Sequence, residues 1–452
     1  MIMANKKYIE KANSVVPSQA QLDFMDTEFI GFIHYGMNTF SNSEWGSGRE
    51  PVKYFNPAEL NALQWVKAAK AARMKGVILT CKYSDGFCLW PSAYTEHSVK
   101  NSPWLEGKGD VVREVADACR AEGMKFGVYL SPFDMHESTF GTEKYNDYFV
   151  NQLTELCKNY GEIFCVYFER DHSGKQKYDW QRYYKTIRKL QPNAMICNCG
   201  PDIRWCGNHK GVGRTSEWSV VPKELINDAD PELLVQPDLG SRSKIKKADE
   251  LVWFPMLMDL SMRPGWFFHD TDNSSMKILA KAVDTYFKSV GNNGTFLLNI
   301  APSHSGKIDR SDLEQLVTIG AQLEIEFKND FTEGAKFEAS NEYDELHSAK
   351  RINSGKSFFR TADGARKTTV TVDMGDVYNI NKVVLGENIK TGQQVEKFKL
   401  YYYYNKRWHK IYQGGTIGRK KVCMLPPMDA RRIKLVIEKT RGFATLTEFR
   451  VF

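Results

Sequence analysis

The sequence predicts an α/β chain: a (β/α)8 TIM-like barrel followed by a C-terminal antiparallel β-sandwich. Three observations carry that reading. Over roughly the first 300 residues, short apolar runs of strand length alternate with amphipathic helical stretches. Beyond about residue 340 the apolar pattern switches to period two. Near the same place the charge changes: residues 331–452 hold 23 Lys and Arg against 13 Asp and Glu, leaving a net −3 on residues 1–330 of a chain whose total is +7. The 452 residues therefore divide into a barrel over 1–335 and a sandwich over 336–452. An open doubly wound sheet is the alternative, but no Gly-rich dinucleotide loop supports it.

Strands are expected at 29–36, 76–83, 125–132, 162–169, 194–200, 214–220, 252–262 and 295–300. Asn56 and Pro57 form a cap and first-turn signature, after which Leu60, Leu63, Ala68 and Ala71 trace a helical stripe. Val112, Val115, Ala116 and Cys119 make a second stripe, closed by Gly123. Tyr148, Phe149, Leu153 and Leu156 make a third, and Leu279, Val283, Tyr286, Phe287 and Val290 a fourth. In the last quarter, three runs alternate strictly: Thr368, Val370, Val372 and Met374; Phe398, Leu400, Tyr402 and Tyr404; and Ile433, Leu435 and Ile437. Gly414 with Gly415, and Pro426 with Pro427, read as turns between such runs.

Composition bounds the function. A hydrophobic content of 42% and an aromatic content of 13% suit packed cores and exclude a disordered chain. Nine cysteines without metal-ligand spacing argue against a disulfide framework and a structural zinc site. Cys197 and Cys199 are expected as buried free thiols. No apolar run reaches the ~18 residues of a membrane span. No nucleic-acid motif accompanies the basic run Arg419, Lys420 and Lys421, so nucleic acid is not an expected partner. The first 19 residues lack an apolar signal core; a periplasmic or secreted protein whose signal peptide has been removed is expected, with a cytoplasmic one as the alternative.

The stretch 162–180, EIFCVYFERDHSGKQKYDW, organises the site. Its apolar run leads straight into Glu169, Arg170, Asp171 and His172, and the carboxyl ends of barrel strands are where side chains reach a ligand. Other strand ends deliver His34 with Glu44 and Trp45, Tyr83 with Ser84, Tyr129, His209 with Glu217, and Trp266. Each alone fits a structural role. Together, acids mixed with Trp and Tyr suit a sugar, whose hydroxyls take hydrogen bonds while its C–H face packs on a ring.

The segments FIHYGMNTFSNSEWG, DGFCLWPS, GVYLSP, QKYDWQRYYKTIRKLQPNA, SEWSVVP and RPGWFFH together resemble the family 29 glycoside hydrolases, the retaining α-L-fucosidases, across residues 20–325. The resemblance implies a distorted barrel that removes a terminal L-fucose from an oligosaccharide or glycoconjugate through a covalent glycosyl-enzyme, with no cofactor. It implies that His34, Glu44 and Trp45 contact the sugar and that Tyr129 and Trp266 wall the pocket. The C-terminal segments resemble the discoidin-like, galactose-binding-like sandwich often appended to such enzymes, which implies sugar binding or structural support.

Several slots depart from the family pattern. Tyr83 and Ser84 stand where two histidines are usual. Glu169, in YFERD, stands in the nucleophile slot of a WFDGA-like sequence, with Asp171 as a rival two residues on. His209, in GNHKG, stands in the acid/base slot of a GNE-like sequence, and Glu217 is a nearby carboxylic acid that could substitute. A retaining mechanism needs two groups about 5–5.5 Å apart, one attacking and one moving a proton. Glu169 keeps the carboxylate but shifts it by one methylene, and a misplacement of about 1 Å can cost on the order of 10²-fold. A histidine can serve as general acid near neutrality. The expectation is a weak fucosidase, or one shifted toward other galacto-configured glycosides; the alternative is a sugar-binding relic without turnover.

Overall fold

The computed structural model describes residues 2–169, 174–227, 231–271, 277–365 and 367–452. Eight parallel strands form one sheet: β1 (Phe29–Ile33), β2 (Gly76–Lys82), β3 (Lys125–Leu130), β4 (Cys165–Phe168), β5 (Met195–Asn198), β6 (Arg204–Trp205), β7 (Met256–Ser261) and β8 (Gly294–Ile300). Their hydrogen-bonded order is β5-β4-β3-β2-β1-β8-β7-β6. A lone parallel bridge between Cys197 and Ile203 closes the ring from β5 to the entry of β6. β1 and β2 are buried along their whole length, as expected of parallel strands covered on both faces.

Six long helices coat the strands: α1 (Ala62–Ala71) after β1, α2 (Val111–Glu122) after β2, α3 (Lys144–Asn159) after β3, α4 (Trp180–Leu190) after β4, α5 (Lys277–Ser289) after β7 and α6 (Arg310–Glu326) after β8. Only residues 199–203 separate β5 from β6, too few for a helix. α2 ends as its sequence predicts. Asp110 accepts from Arg113 N at 2.9 Å at one end, and Gly123 takes φ 66° at the other, a left-handed conformation that glycine adopts without steric cost.

Three expectations about the barrel's elements need correction. The sixth strand is not 214–220 but the two-residue β6; Val220–Pro222 instead pairs antiparallel with Leu251–Trp253 in a ribbon outside the barrel. The run expected at 252–262 is split by Pro255, whose missing N–H ends the ribbon before β7 begins. α1 is capped by Asn61, which accepts from Gln64 N at 2.9 Å, and not by Asn56. Its buried face is Ala62, Trp65, Val66, Ala68 and Ala69, so Ala68 lies inward as expected while Leu63 is exposed.

The C-terminal sheet contains β9 (Lys336–Ala339), β10 (Thr368–Gly386), β11 (Val395–Tyr404), β12 (Arg407–Gly414), β13 (Lys421–Thr440) and β14 (Glu448–Val451). Its order is β9-β10-β13-β11-β12, with β14 on β10. Val370, Val372, Leu400, Ile433 and Leu435 are buried on one face, as the alternation predicts. Asn405 and Lys406, both at positive φ, turn β11 into β12. Pro426 and Pro427 do not mark a turn. They lie within β13 where pairing with β10 slips between Met424 and Met428, a bulge at which no ladder N–H is needed.

The two parts meet through an apolar seam, in which Phe327 lies 5.5 Å from Phe452, and through polar contacts. Arg419 reaches Asp26 and Glu28 at 2.7 Å each, and Lys420 reaches Glu28 at 2.7 Å. Gln393 accepts from Ser219 N and donates to Glu217 O, both at 2.8 Å. The nine cysteines are free and buried. Among the described residues no helix is long and apolar enough to cross a membrane.

Candidate active site

Side chains from the carboxyl ends of β1 to β4, from β7 and β8, and from the segments after β6 and β7 converge at one mouth of the barrel. His34, just past β1, is buried, and its Nδ1 lies 2.7 Å from Asn299 Oδ1 on β8. Asn299 Nδ2 donates to Ser261 Oγ at 3.0 Å and to the Trp266 carbonyl at 2.8 Å. The amide oxygen is thus the atom turned toward His34, so Nδ1 carries the imidazole hydrogen and Nε2 keeps its lone pair. Rings of Phe32, Trp266 and Phe267 lie 4.5, 5.0 and 5.5 Å away. Burial, with His209 adding to it against the Asn299 bond, pulls the His34 pKa down to about 3. At neutral pH it is a neutral hydrogen-bonding group.

Glu169 follows the wholly buried β4 and is half-buried itself. Tyr129, at the end of β3, donates from its hydroxyl to Glu169 Oε2 at 3.1 Å. Asp171 lies outside the described residues.

His209 sits beyond β6, with Nδ1 3.0 Å from both oxygens of Asp259. Trp205 Nε1 donates to the same carboxylate at 3.2 Å. The imidazole lies between Trp205, 4.6 Å away, and Trp266, 5.1 Å away. Nε2 has no hydrogen bond among the described residues, and the side chain is 47% exposed, enough for a ligand to reach it. Burial opposes the imidazolium, but the Asp259 hydrogen bond and charge, and then the Glu169 charge, outweigh it and leave the pKa above the usual value.

Glu44 accepts from Trp266 N at 2.6 Å and meets His269 Nε2 at 2.9 Å, which fixes the loop bearing Trp266. A Cβ at Gly265 would come within 2.5 Å of Glu44 Oε2 and push that carboxylate aside. Trp45 is exposed and stacks on Tyr83 with centroids 5.9 Å apart and planes 23° apart. Ser84 Oγ donates to the Trp45 carbonyl at 2.8 Å.

Glu217 is not brought into this group. It is buried beneath Arg204 and Arg214, one oxygen bound by Arg204 Nη2 and the other 2.9 Å from Arg214 Nη1. The reason lies in β6: adjacent strand residues face opposite sides, so Trp205 points to the His209 cluster and Arg204 away from it. Both oxygens of Glu217 are thus engaged by Arg204 and Arg214, away from the His209 cluster where the sequence had offered it as a substitute acid.

Sequence reasoning missed Asp259, Asn299 and Trp205. Asp259 left a trace, an acid inside the apolar run of β7 and 1% exposed; burial of that kind demands partners. Asn299 likewise interrupts an apolar strand. Trp205 left no signal, because a two-residue strand has no periodicity.

Chemically, the mouth presents a half-buried carboxylate, an imidazole of raised pKa on a carboxylate, a neutral imidazole and a wall of Trp and Tyr. Such a set can bind a sugar ring and move a proton beside a nucleophile.

The Alpha-L-fucosidase family model matches residues 2–327, and the F5/8 type C domain model matches residues 336–449. "Alpha-L-fucosidase 1" of Arabidopsis thaliana is 34% identical over 441 residues, covering 94% of this chain and 85% of the relative. A solved glycoside hydrolase 29 family member from an unknown rumen bacterium is 36% identical with a TM-score of 0.84, covering 97% of this chain and 77% of that one. A Ruminococcus gnavus GH29 fucosidase solved in complex with fucose is 27% identical with a TM-score of 0.87, covering 97% and 95%. With eight barrel strands, an aromatic-walled acid site at their carboxyl ends and these matches, the chain belongs to the alpha-L-fucosidase family of glycoside hydrolases.

Proposed function

We propose that this protein hydrolyses terminal α-L-fucosides with retention, Glu169 attacking the anomeric carbon and His209 moving the proton. The observation that supports this most is the pairing of His209 Nδ1 with Asp259 at 3.0 Å, beside a wall it shares with His34 through Trp266. Asp259 fixes which ring nitrogen is protonated and stabilises the imidazolium, so Nε2 presents the proton to the leaving oxygen. After the glycosyl ester forms on Glu169, neutral His209 takes a proton from the attacking water, and the ester is hydrolysed. Tyr129 donates to Glu169 at 3.1 Å and steadies the ionised nucleophile before attack.

The slots held by Tyr83 and Ser84 support a shifted sugar preference. Ser84 is occupied with the Trp45 carbonyl, and Tyr83 is buried against Phe267 at 5.0 Å. With fewer polar groups set to read the ring hydroxyls, discrimination among galacto-configured sugars weakens, because specificity for a hydroxyl comes from buried groups left unpaired without it.

The test is a panel of aryl glycosides, including α-L-fucoside and β-D-galactoside, on the parent, Glu169→Ala and His209→Ala. Turnover of the fucoside that disappears in Glu169→Ala supports the reading. Saturable fucose binding without turnover of any glycoside would instead make the chain a sugar-binding relic.

A further inference from the structure

The outer face of the sandwich sheet bears a ladder of rings and cations that the barrel chemistry leaves unused. β11 and β12 pair Tyr401 with Lys410 and Tyr403 with Trp408, and β13 sets Lys434 beside Tyr401. Their strand neighbours Leu400, Ile433 and Leu435 fill the core, so the two-residue period turns this set outward. Lys434 Nζ lies 4.1 Å from the Trp408 ring centre and 5.4 Å from that of Tyr401. The Arg432 guanidinium lies 4.1 Å from the Tyr403 ring centre, and Tyr403 and Trp408 are 5.1 Å apart.

These contacts hold the cationic heads in place without neutralising them. Among the described residues Lys434 and Lys410 make no ion pair, and Arg432 only shares the charge of its cross-strand neighbour Asp373, which Arg431 holds at 2.8 Å; the nearby Lys399 is matched by Glu438. Burial, and then the Lys367 charge, pull the Lys434 pKa below its usual value, the direction expected for a cation short of counter-charge. The face also lies in the part of the chain that holds 23 Lys and Arg against 13 Asp and Glu.

We infer that this face binds an acidic polysaccharide, a chain of pyranose rings bearing carboxylates. A neutral glycan would pack on Tyr401, Tyr403 and Trp408 but leave Lys410 and Lys434 without a counter-charge and Arg432 with only a share of Asp373. A polyanion without sugar faces would meet the cations but leave the rings unused. Alternation of ring and charge, with Lys434 and Arg432 about 7 Å apart along one strand, fits a partner that alternates the same two features. Guanidinium and ammonium groups bind carboxylates by charge-assisted hydrogen bonds, while the C–H faces of the sugar lie on the aromatic rings. The inference is independent of the reading of the barrel.

The test is affinity electrophoresis of the full chain in gels containing polygalacturonate, at about 50 mM salt, where charges are less screened than at physiological ionic strength. The parent is expected to be retarded, and much less so in gels containing neutral galactan. Arg432→Gln with Lys434→Gln, and separately Trp408→Ala, are each expected to weaken retention about tenfold or more. Trp408→Phe keeps a ring and most of the retention, which separates a lost contact from a lost fold. Lys390→Gln removes one positive charge from an exposed position outside the ladder and should run like the parent. Any of four results overturns the inference: an unretarded parent, equal retention by galactan, a Lys390→Gln loss as large as that of the double variant, or retention by duplex DNA with none by polygalacturonate.

Discussion

Two histidines of the candidate site are pushed in opposite directions, and that contrast has kinetic consequences. His34 is held neutral by burial, with a pKa of about 3, so it contributes no limb to an activity profile above pH 4 or so. His209 is raised above its usual value by Asp259 and Glu169 against the effect of burial. In its proposed role as general acid it works protonated, so activity should fall as pH rises through its pKa. Replacing Asp259 by Asn removes a negative charge beside the ring and lowers that pKa; the alkaline limb of kcat/KM should move to lower pH. An unmoved alkaline limb would mean that Asp259 does not act through His209. His209→Ala should cost about 10²–10⁴-fold on fucosides with poor leaving groups and far less on those with good ones, a difference that a series of aryl fucosides would read. His209 and Glu169 stood out in the sequence because each occupies a slot in a recognisable segment, and both lie at the barrel mouth. Asp259 did not stand out, since its role comes from facing His209 across two strands that lie 50 residues apart in the chain.

At the scale of elements, β6 decides what its neighbours do. Its two residues turn opposite ways, Trp205 onto Asp259 and Arg204 onto Glu217. Glu217, Arg204 and Arg214 form a buried charge cluster, their side chains 1%, 1% and 8% exposed. Glu217→Ala would strand two guanidiniums and should destabilise the fold by about 3–5 kcal/mol. Thermal melts should show the loss, while turnover per folded site on an activated aryl fucoside stays near the parent value. A parent-like melting temperature combined with lost turnover would return Glu217 to the chemistry. The sequence placed the sixth strand at 214–220, but that stretch offers only Trp218 and Val220 as apolar residues, and of it the structure uses only Val220 in a strand, Val220–Pro222 of the outer ribbon. Periodicity reports that a segment is extended and half-buried, but not which sheet it joins. The longer strands and the α2 caps were readable for the converse reason, that their length and caps leave few alternatives.

At the scale of the whole molecule, the basic sandwich grips an acidic corner of the barrel. Burial opposes the Glu28 carboxylate, but Lys420 and Arg419 outweigh it and pull its pKa from 4.5 to about 2. A carboxyl depressed in the folded state adds stability that is present above its unfolded pKa and lost as pH falls through the folded one. The window therefore runs from about pH 4.5 down to about 2, and the increment is on the order of 3 kcal/mol. Glu28→Gln should remove much of the acid-linked destabilisation seen in urea titrations between those limits, and a barrel of residues 1–335 alone should lack it altogether. An unchanged pH dependence in Glu28→Gln would place the acid sensitivity elsewhere. The shift in charge between the two parts was visible in composition, but the match of Arg419 and Lys420 to Glu28 needed the fold, because it joins residues almost 400 positions apart. The central claim, that Glu169 attacks the anomeric carbon of an α-L-fucoside, is tested most directly by azide rescue. An aryl α-L-fucoside is incubated with Glu169→Ala and azide, and the product is followed by proton NMR. Turnover near zero is expected without azide, and formation of the inverted β-L-fucosyl azide with it; hydrolysis by Glu169→Ala at the parent rate, with no azide adduct, would contradict attack by Glu169.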